Sequence, residues 1–280
     1  DNTRVSMLQA GEIDACVPIP VPRQAELKAA GFRADAEPAS STYDMLINHE
    51  KEPFNNLKFR QAIHYGIDRK AICDAVTMGT GTPATSIFSP ALDYFDKSLP
   101  LVACDVDKAK ALLKESGVAN PSFELIQNAG AVDEEKATVL IQAQLAEVGI
   151  TVNIAKIDST TAWTRLTNGD YQAEMNWWYN ETRDPDNALR WCAWGTGDNK
   201  SYYTRYNNDE VNKLIDQAAG ETDPAKRGEM YAKIQQTCVE EVAQVAIYHP
   251  SWLNAYSTHV KEMQLNIGLQ FSDIDETDLV

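Results

Sequence analysis

The sequence predicts a mixed α/β domain, and three observations predict it. Some segments alternate apolar and polar residues with a period of two, others space apolar residues three and four apart, and the two kinds succeed one another through the middle of the chain.

Leu57 to Tyr65 and Arg69 to Val76 read as two helices, with Asp68 placed so that its side-chain oxygen caps the second. Asp107 opens a helix whose Ala109, Leu112 and Leu113 share a face, and Gly117 ends it. Phe123-Glu-Leu-Ile reads as a strand. From about Glu134 to Val148, Ala137, Leu140, Ile141, Leu145 and Val148 line one side of a helix that Gly149 stops. Ile150, Val152 and Ile154 then alternate as a strand, and a short helix over about 160–168 leads through Gly169-Asp170 to the next. In that strand Tyr171, Ala173, Met175 and Trp177 alternate with Gln172, Glu174, Asn176 and Trp178, which points Trp177 into the core and Trp178 the other way.

Further on, Asp209 begins a helix carrying Val211, Leu214, Ile215 and Ala218. Thr222-Asp-Pro begins another that turns Met230, Tyr231, Ile234 and Cys238 inward. Gln244 to Tyr248 reads as a strand that His249-Pro250 breaks. The ends behave differently. Residues 1 to about 47 include Val-Pro-Ile-Pro-Val-Pro and are too loop-like for a core of their own. Residues after Pro250 are strand-like through Trp252, Leu253, Ala255 and Tyr256 and finish in an acidic tail. Both ends are therefore expected to join one partial module, beside a complete one over about 48 to 249.

With 41 acidic against 25 basic residues the net charge is -16, which repels phosphate backbones and anionic membrane surfaces and argues against nucleic-acid binding. No apolar run approaches the roughly 20 residues of a membrane helix. The opening Asp-Asn-Thr-Arg carries no leader pattern, so the cytoplasm and a compartment reached through a preceding leader both stay open. The five cysteines, Cys16, Cys73, Cys104, Cys192 and Cys238, fall in no C-x-x-C pair and near no histidine at ligand spacing, which argues against zinc. They fit either reduced buried thiols or one or two disulfides. In an oxidising compartment Cys192 with Cys238 is the first choice of pair.

Recognition chemistry is densest in Met175-Asn-Trp-Trp-Tyr-Asn-Glu-Thr-Arg-Asp-Pro-Asp-Asn187. Adjacent aromatics beside a carboxylate suit a ligand with an apolar or sugar-like body and an ammonium group. Trp178, Tyr179, Asn180 and Glu181 are the candidate contacts, set against a surface turn with partly buried aromatics. Arg183 and Arg190 can receive a carboxylate through a bidentate fork, and Trp191 and Trp194 either extend the pocket or pack beneath it. Asp184 before Pro185 reads as the N-cap of a short helix. A rival reading takes paired carboxylates among Glu174, Glu181, Asp184 and Asp186 as those of a carbohydrate-active hydrolase. No nucleophile elbow, phosphate loop or H-E-x-x-H motif supports catalysis.

The segment Pro53-Phe-Asn-Asn-Leu-Lys-Phe-Arg60-Gln-Ala-Ile-His-Tyr-Gly-Ile-Asp68-Arg69 resembles the signature of the family 5 extracellular solute-binding proteins, the dipeptide- and oligopeptide-binding class that serves ABC importers. Gly79-Thr-Gly-Thr-Pro-Ala84, Gln144-Leu-Ala-Glu-Val-Gly-Ile150, Asp184-Pro-Asp-Asn187 and Tyr206-Asn-Asn-Asp-Glu-Val211 echo it in order. The resemblance implies a periplasmic-binding-protein-like fold of type II, cluster C, of which this sequence resembles the C-terminal half. Residues 1–47 and 250–280 would then be parts of lobe I and 48–249 lobe II, with the hinge near Ile47-Asn48 and Tyr248-His249. It also implies a non-enzymatic, monomeric, extracytoplasmic carrier, lipid-anchored in some members, that needs no cofactor and delivers a peptide, oligosaccharide, opine or metal complex to permease subunits. In peptide-binding members an acidic residue shortly before the Asp-Pro pairs with the ligand's amino terminus. The matching position here is Glu181, three before Asp184 and one methylene longer than the usual Asp, with Trp178 six before it.

Overall fold

The computed structural model describes residues 2–195, 201–261, 263 and 278–279. The elements run Asn2–Gln9 (α1), Ala15–Cys16 (β1), Arg23–Ala29 (α2), Arg33–Pro38 (β2), Ser41–Ile47 (β3), Leu57–Gly66 (α3), Arg69–Thr77 (α4), Thr82–Pro83 (β4) and Val106–Ser116 (α5). They continue with Ser122–Asn128 (β5), Val132–Val148 (α6), Thr151–Ile157 (β6), Ser159–Asn168 (α7), Ala173–Tyr179 (β7) and Asp186–Cys192 (α8). Asp209–Gly220 (α9), Pro224–Glu240 (α10), Val245–His249 (β8), Ser251–Tyr256 (β9), Val260–Lys261 (β10) and Asp278–Leu279 (β11) complete the chain. Most of the expected acidic tail lies outside the described residues. Among the described residues no helix is long and apolar enough to cross a membrane.

Six strands form one mixed sheet in the order β4-β8-β3-β7-β5-β6. β5 runs parallel to β6 and β7, while β3 is antiparallel to β7 and β8. One face is covered by α3, α4, α5 and α6, whose Phe59, Ile63, Ile72, Ala109, Ile141 and Leu145 are fully buried against Met45, Ile47, Leu125 and Met175. A second core joins α8, α9 and α10 through Leu189, Val211, Ile215, Tyr231 and Ile234.

Local signals end and start most helices where the sequence predicts. Asp68 accepts from Ala71 N at 2.9 Å, and Asp223 caps α10 ahead of Pro224. Gly149 closes α6 at φ 98°, a left-handed conformation that costs other residues dearly. The cap of α5 is Asp105 rather than Asp107: it accepts from Lys108 N at 2.9 Å, while its own N–H donates to Tyr65 O at 2.8 Å and fixes the entry of the chain.

Residues near the two ends do build a core, but only jointly. α1 and α2 bury Val5, Leu8 and Leu27 against Cys16, Ala34, Leu253 and Ala255 of a three-stranded antiparallel sheet with β9 in its centre. β3, expected with residues 1–47 of this smaller unit, belongs instead to the large sheet, paired along its whole length with β7. The crossing therefore falls between Pro38 and Ser41 rather than at Ile47-Asn48. The return crossing, at Pro250, lies beside it, with Ala39 N donating to Pro250 O at 3.2 Å.

All five cysteines are free thiols, and all but Cys104 are buried. The Cys192–Cys238 disulfide considered above is absent: Cys192 sits in the layer under β5 and β3, Cys238 in the core of α9 and α10.

Candidate functional site

β3 and β7 are in register Tyr43 to Trp177, Met45 to Met175 and Ile47 to Ala173, so these residues share one face of the sheet. Toward one end that face is roofed by helices, and Met45, Ile47, Ala173 and Met175 are fully buried. Two residues further along β7 the covering helices end. Trp177 is 41% exposed and Tyr179 is 37% exposed. The expected inward placement of Trp177 is thus corrected: it has the core-side phase, but it lies past the edge of the core.

What it faces is a cavity of about 530 Å³ between the large sheet and the smaller unit. The floor is Ser41 and Tyr43 of β3, Trp177 of β7 and Tyr248 of β8. Val76, Thr77 and Thr80 form one side, and Pro18 to Val21 with Trp252 and Leu253 form the opposite wall. The floor is an aromatic row. Tyr248 stacks on Tyr43 with centroids 4.8 Å apart, Tyr43 on Trp177 at 6.3 Å, and Trp177 on Tyr179 at 5.7 Å. Near-parallel rings this close cover one another's faces, and the exposed Trp177 carries most of the aromatic surface left to the cavity.

A register shift between Tyr43 and Asp44 decides which residue joins the row. Met45 pairs with Val245 and Asp44 with Ala246, so regular pairing would set Ile247 opposite Tyr43. The bulge sets Tyr248 there instead.

Charge in the cavity comes from Asp133, in the first turn of α6. It makes no hydrogen bond or ion pair with the described residues. Burial raises its pKa, and Lys136 offsets part of that. Its charge also contributes to holding the Tyr43 and Tyr248 phenols protonated, after the larger effect of burial. The described lining contains no lysine, arginine or histidine.

The rim is tied to the crossing strands. Thr80 Oγ1 donates to Thr77 O at 2.7 Å, and Ser251 Oγ donates to Thr80 O. Gly81 is packed so closely that a Cβ would fall 2.8 Å from both His249 O and Thr77 Cγ2.

The residues singled out from the sequence are dispersed. Tyr179 stacks on Trp177 at the end of the aromatic row, outside the cavity lining. Trp178 points through the sheet to the opposite face, tilted against Trp191 and Tyr203 beside Leu46, Ile126 and Cys192. Asn180 is buried and structural, accepting from Ala188 N at 3.2 Å and donating to Ser40 O at 3.4 Å. Glu181 is exposed and outside the cavity lining. Arg183 is exposed and paired with Asp93 at 3.0 Å. Trp194 donates to Asp216 at 2.9 Å under the Arg190 guanidinium. Asp184 accepts from Asp186 N at 3.0 Å and pairs with Arg227 at 2.6 Å, so it anchors the start of α8 from one residue further upstream than an N-cap.

The four carboxylates of the hydrolase reading do not converge. Glu174 is buried on the opposite face, Asp184 and Asp186 are paired with arginines, and Glu181 is on the surface. Sequence reasoning missed Tyr43, Tyr248 and Asp133. The alternation of Tyr43, Met45 and Ile47 was the available signal for the first. Asp133 hides in Asp-Glu-Glu, an ordinary acidic first turn.

The family described as bacterial extracellular solute-binding proteins, family 5 Middle, matches residues 1–201. Heme-binding protein A of Haemophilus influenzae is 28% identical over 93% of this chain and 49% of its own length. The glutathione-binding protein GsiB of Escherichia coli (strain K12) is 28% identical over 98% of this chain and 56% of its own. Among solved structures, HbpA2 from Haemophilus parasuis superposes with a TM-score of 0.87 at 25% identity, covering 100% of this chain and 56% of that one. The oligopeptide-binding protein AppA from Bacillus subtilis, in complex with a nonapeptide, gives 0.84 at 23% identity over 100% and 58%. The chain spans about half the length of the curated relatives it matches. Its fold is that of the type II periplasmic binding proteins, with a mixed sheet and flanking helices. The chain belongs to family 5 of the bacterial extracellular solute-binding proteins.

Proposed function

We propose that the full-length protein is the substrate-binding component of an ABC-type importer, an extracytoplasmic monomer that captures a small solute between two lobes and delivers it to a membrane permease. The observation that carries this reading is the cavity of about 530 Å³ between the two units, floored by the stacked rings of Tyr43, Trp177 and Tyr248. That volume falls in the range of small-molecule sites. Trp177 and Tyr43, with Tyr248 packed beneath them, are the contacts we assign, in place of Trp178, Tyr179, Asn180, Glu181, Arg183 and Trp194. The crossings at Pro38 to Ser41 and at Pro250 are the hinge in this reading, because there the described chain passes between the two sheets. The work is capture without bond-breaking.

The relatives' names differ in ligand, from heme to glutathione to a nonapeptide, so family membership selects none of them for this chain. Native mass spectrometry of the full-length secreted protein tests the reading. A co-purified small molecule, recovered unchanged after release, is the expected result. A solute recovered only as cleaved products overturns it in favour of a hydrolase.

A further inference from the structure

We infer that Asp133 selects a solute that carries a cationic group on a flat ring body, the ring packed against Trp177. The inference rests on the cavity being the solute site and names the chemistry that site prefers.

Three observations converge on it. First, the cavity has a sign. Asp133 is the single carboxylate of the described lining, which holds no lysine, arginine or histidine, Lys136 acting on it only from outside the lining, and the whole chain carries -16. Second, the carboxylate is unspent. Its neighbour Glu134 is committed to the backbone N–H and side chain of Asn128 at 2.9 and 3.1 Å, and Glu135 to Lys156. Asp133 makes no such bond within the described chain, and burying it further against a neutral solute would leave a desolvated charge unpaired. Third, the adjoining floor is aromatic, and Trp177 stands 41% exposed over it. The uncovered surface of Trp177 can take a planar body and its negative ring face attracts a cation, so floor and carboxylate favour the same ligand. Glu181, the carboxylate the sequence favours, lies outside this lining.

The test uses the full-length protein and three probes that share one ring: 2-naphthylmethylammonium, 2-naphthylmethanol and 2-naphthoate, titrated by calorimetry and by quenching of tryptophan fluorescence. The cation is expected to bind at least about tenfold tighter than the alcohol, and the anion weakest. Asp133→Asn should collapse the cation preference to within about twofold while leaving the alcohol's affinity in place, and Asp133→Glu should restore part of the preference. Trp177→Ala should weaken all three, and Glu181→Gln should change none.

If the alcohol binds as well as the cation, or if the preference survives Asp133→Asn, the inference is overturned while the solute-carrier reading stands. Loss of the preference in Glu181→Gln instead would hand the role to Glu181. Binding by none of the probes also overturns the inference, and the carrier reading is then decided by the solute recovered from the native protein.

Discussion

Tyr43 and Tyr248 lie directly opposite each other on β3 and β8 and stack with centroids 4.8 Å apart and planes 11° from parallel. Their burial differs from that of the next ring in the row. Tyr248 is 1% exposed and belongs to the main core, whereas Trp177 stands 41% exposed over the cavity. Tyr248→Ala should therefore cost about 3–5 kcal/mol of stability, as for other large buried rings. Trp177→Ala should cost only about 1 kcal/mol, the worth of its stacking. Urea denaturation of both variants checks the contrast. Equal losses would mean that Trp177 is core and not cavity wall.

On the far face of the sheet Asp44 and Glu174 are buried, each with a carboxylate oxygen that has no hydrogen-bond partner. Burial pushes both up to about 8, from 3.8 and 4.5. The native state then holds protons that the unfolded chain has released, so this contribution to stability is full below about pH 4 and is lost as pH rises toward 8. His49 and His249, driven down to about 3 by burial, act in the opposite sense but only below their ordinary value of 6.5. From pH 6.5 to 8 stability should fall by up to about 1.4 kcal/mol per pH unit for each acid. Asp44→Asn should remove about half of that slope. Urea midpoints across this window give the answer, and a flat profile in the wild-type protein would refute it.

Arg69 is 2% exposed and meets backbone carbonyls rather than a carboxylate: Nε donates to Ala246 O at 2.7 Å and Nη1 to His64 O at 2.9 Å, with Nη2 at 2.9 Å from His64 Nδ1. These bonds tie α4 to α3 and to β8. Arg69→Leu leaves two buried carbonyls without a donor and should cost about 2–5 kcal/mol. Arg69→Lys should recover only part, since an ammonium cannot reproduce the planar fork. Thermal and urea unfolding of the pair measures both.

Cys104 is exposed, while Cys16, Cys73, Cys192 and Cys238 are buried, with Cys238 pushed up to about 12 by burial. A disulfide-exchange reagent should titrate one thiol in the native protein and five in denaturant. Cys104→Ser should abolish the native reaction. Three thiols in denaturant would reveal a disulfide.

How much was legible in the sequence depends on the range of the interaction. Helices closed by Gly117, Gly149 and Gly169 and started by Asp68 or Asp223 could be read, because a cap is settled within four residues. Alternation along β7 likewise assigned Trp177 and Trp178 to opposite faces. Alternation does not say how far the neighbouring helices reach, and that distance is what turns Trp177 from core into cavity floor. The far wall was less legible still. Ile19 and Trp252 meet the floor only because β9 joins the two ends of the chain in one sheet. The same sheet shows why the Pro-rich start looked coreless: its apolar residues are completed by Leu253 and Ala255.

The bulge at β8 gives the cavity floor a dependence on phase. Ile247 and Tyr248 are neighbours in sequence, yet one supernumerary residue lets both reach the same side of the sheet, the first filling the interior and the second extending the ring row. Deleting Ile247 would restore regular pairing but shift the strand against everything that follows it, including Pro250 and Trp252. Floor, crossing and far wall are thus indexed to a single count of residues along one strand. Substitutions can retune the ring surface one side chain at a time, whereas a change of length here would rewrite it wholesale.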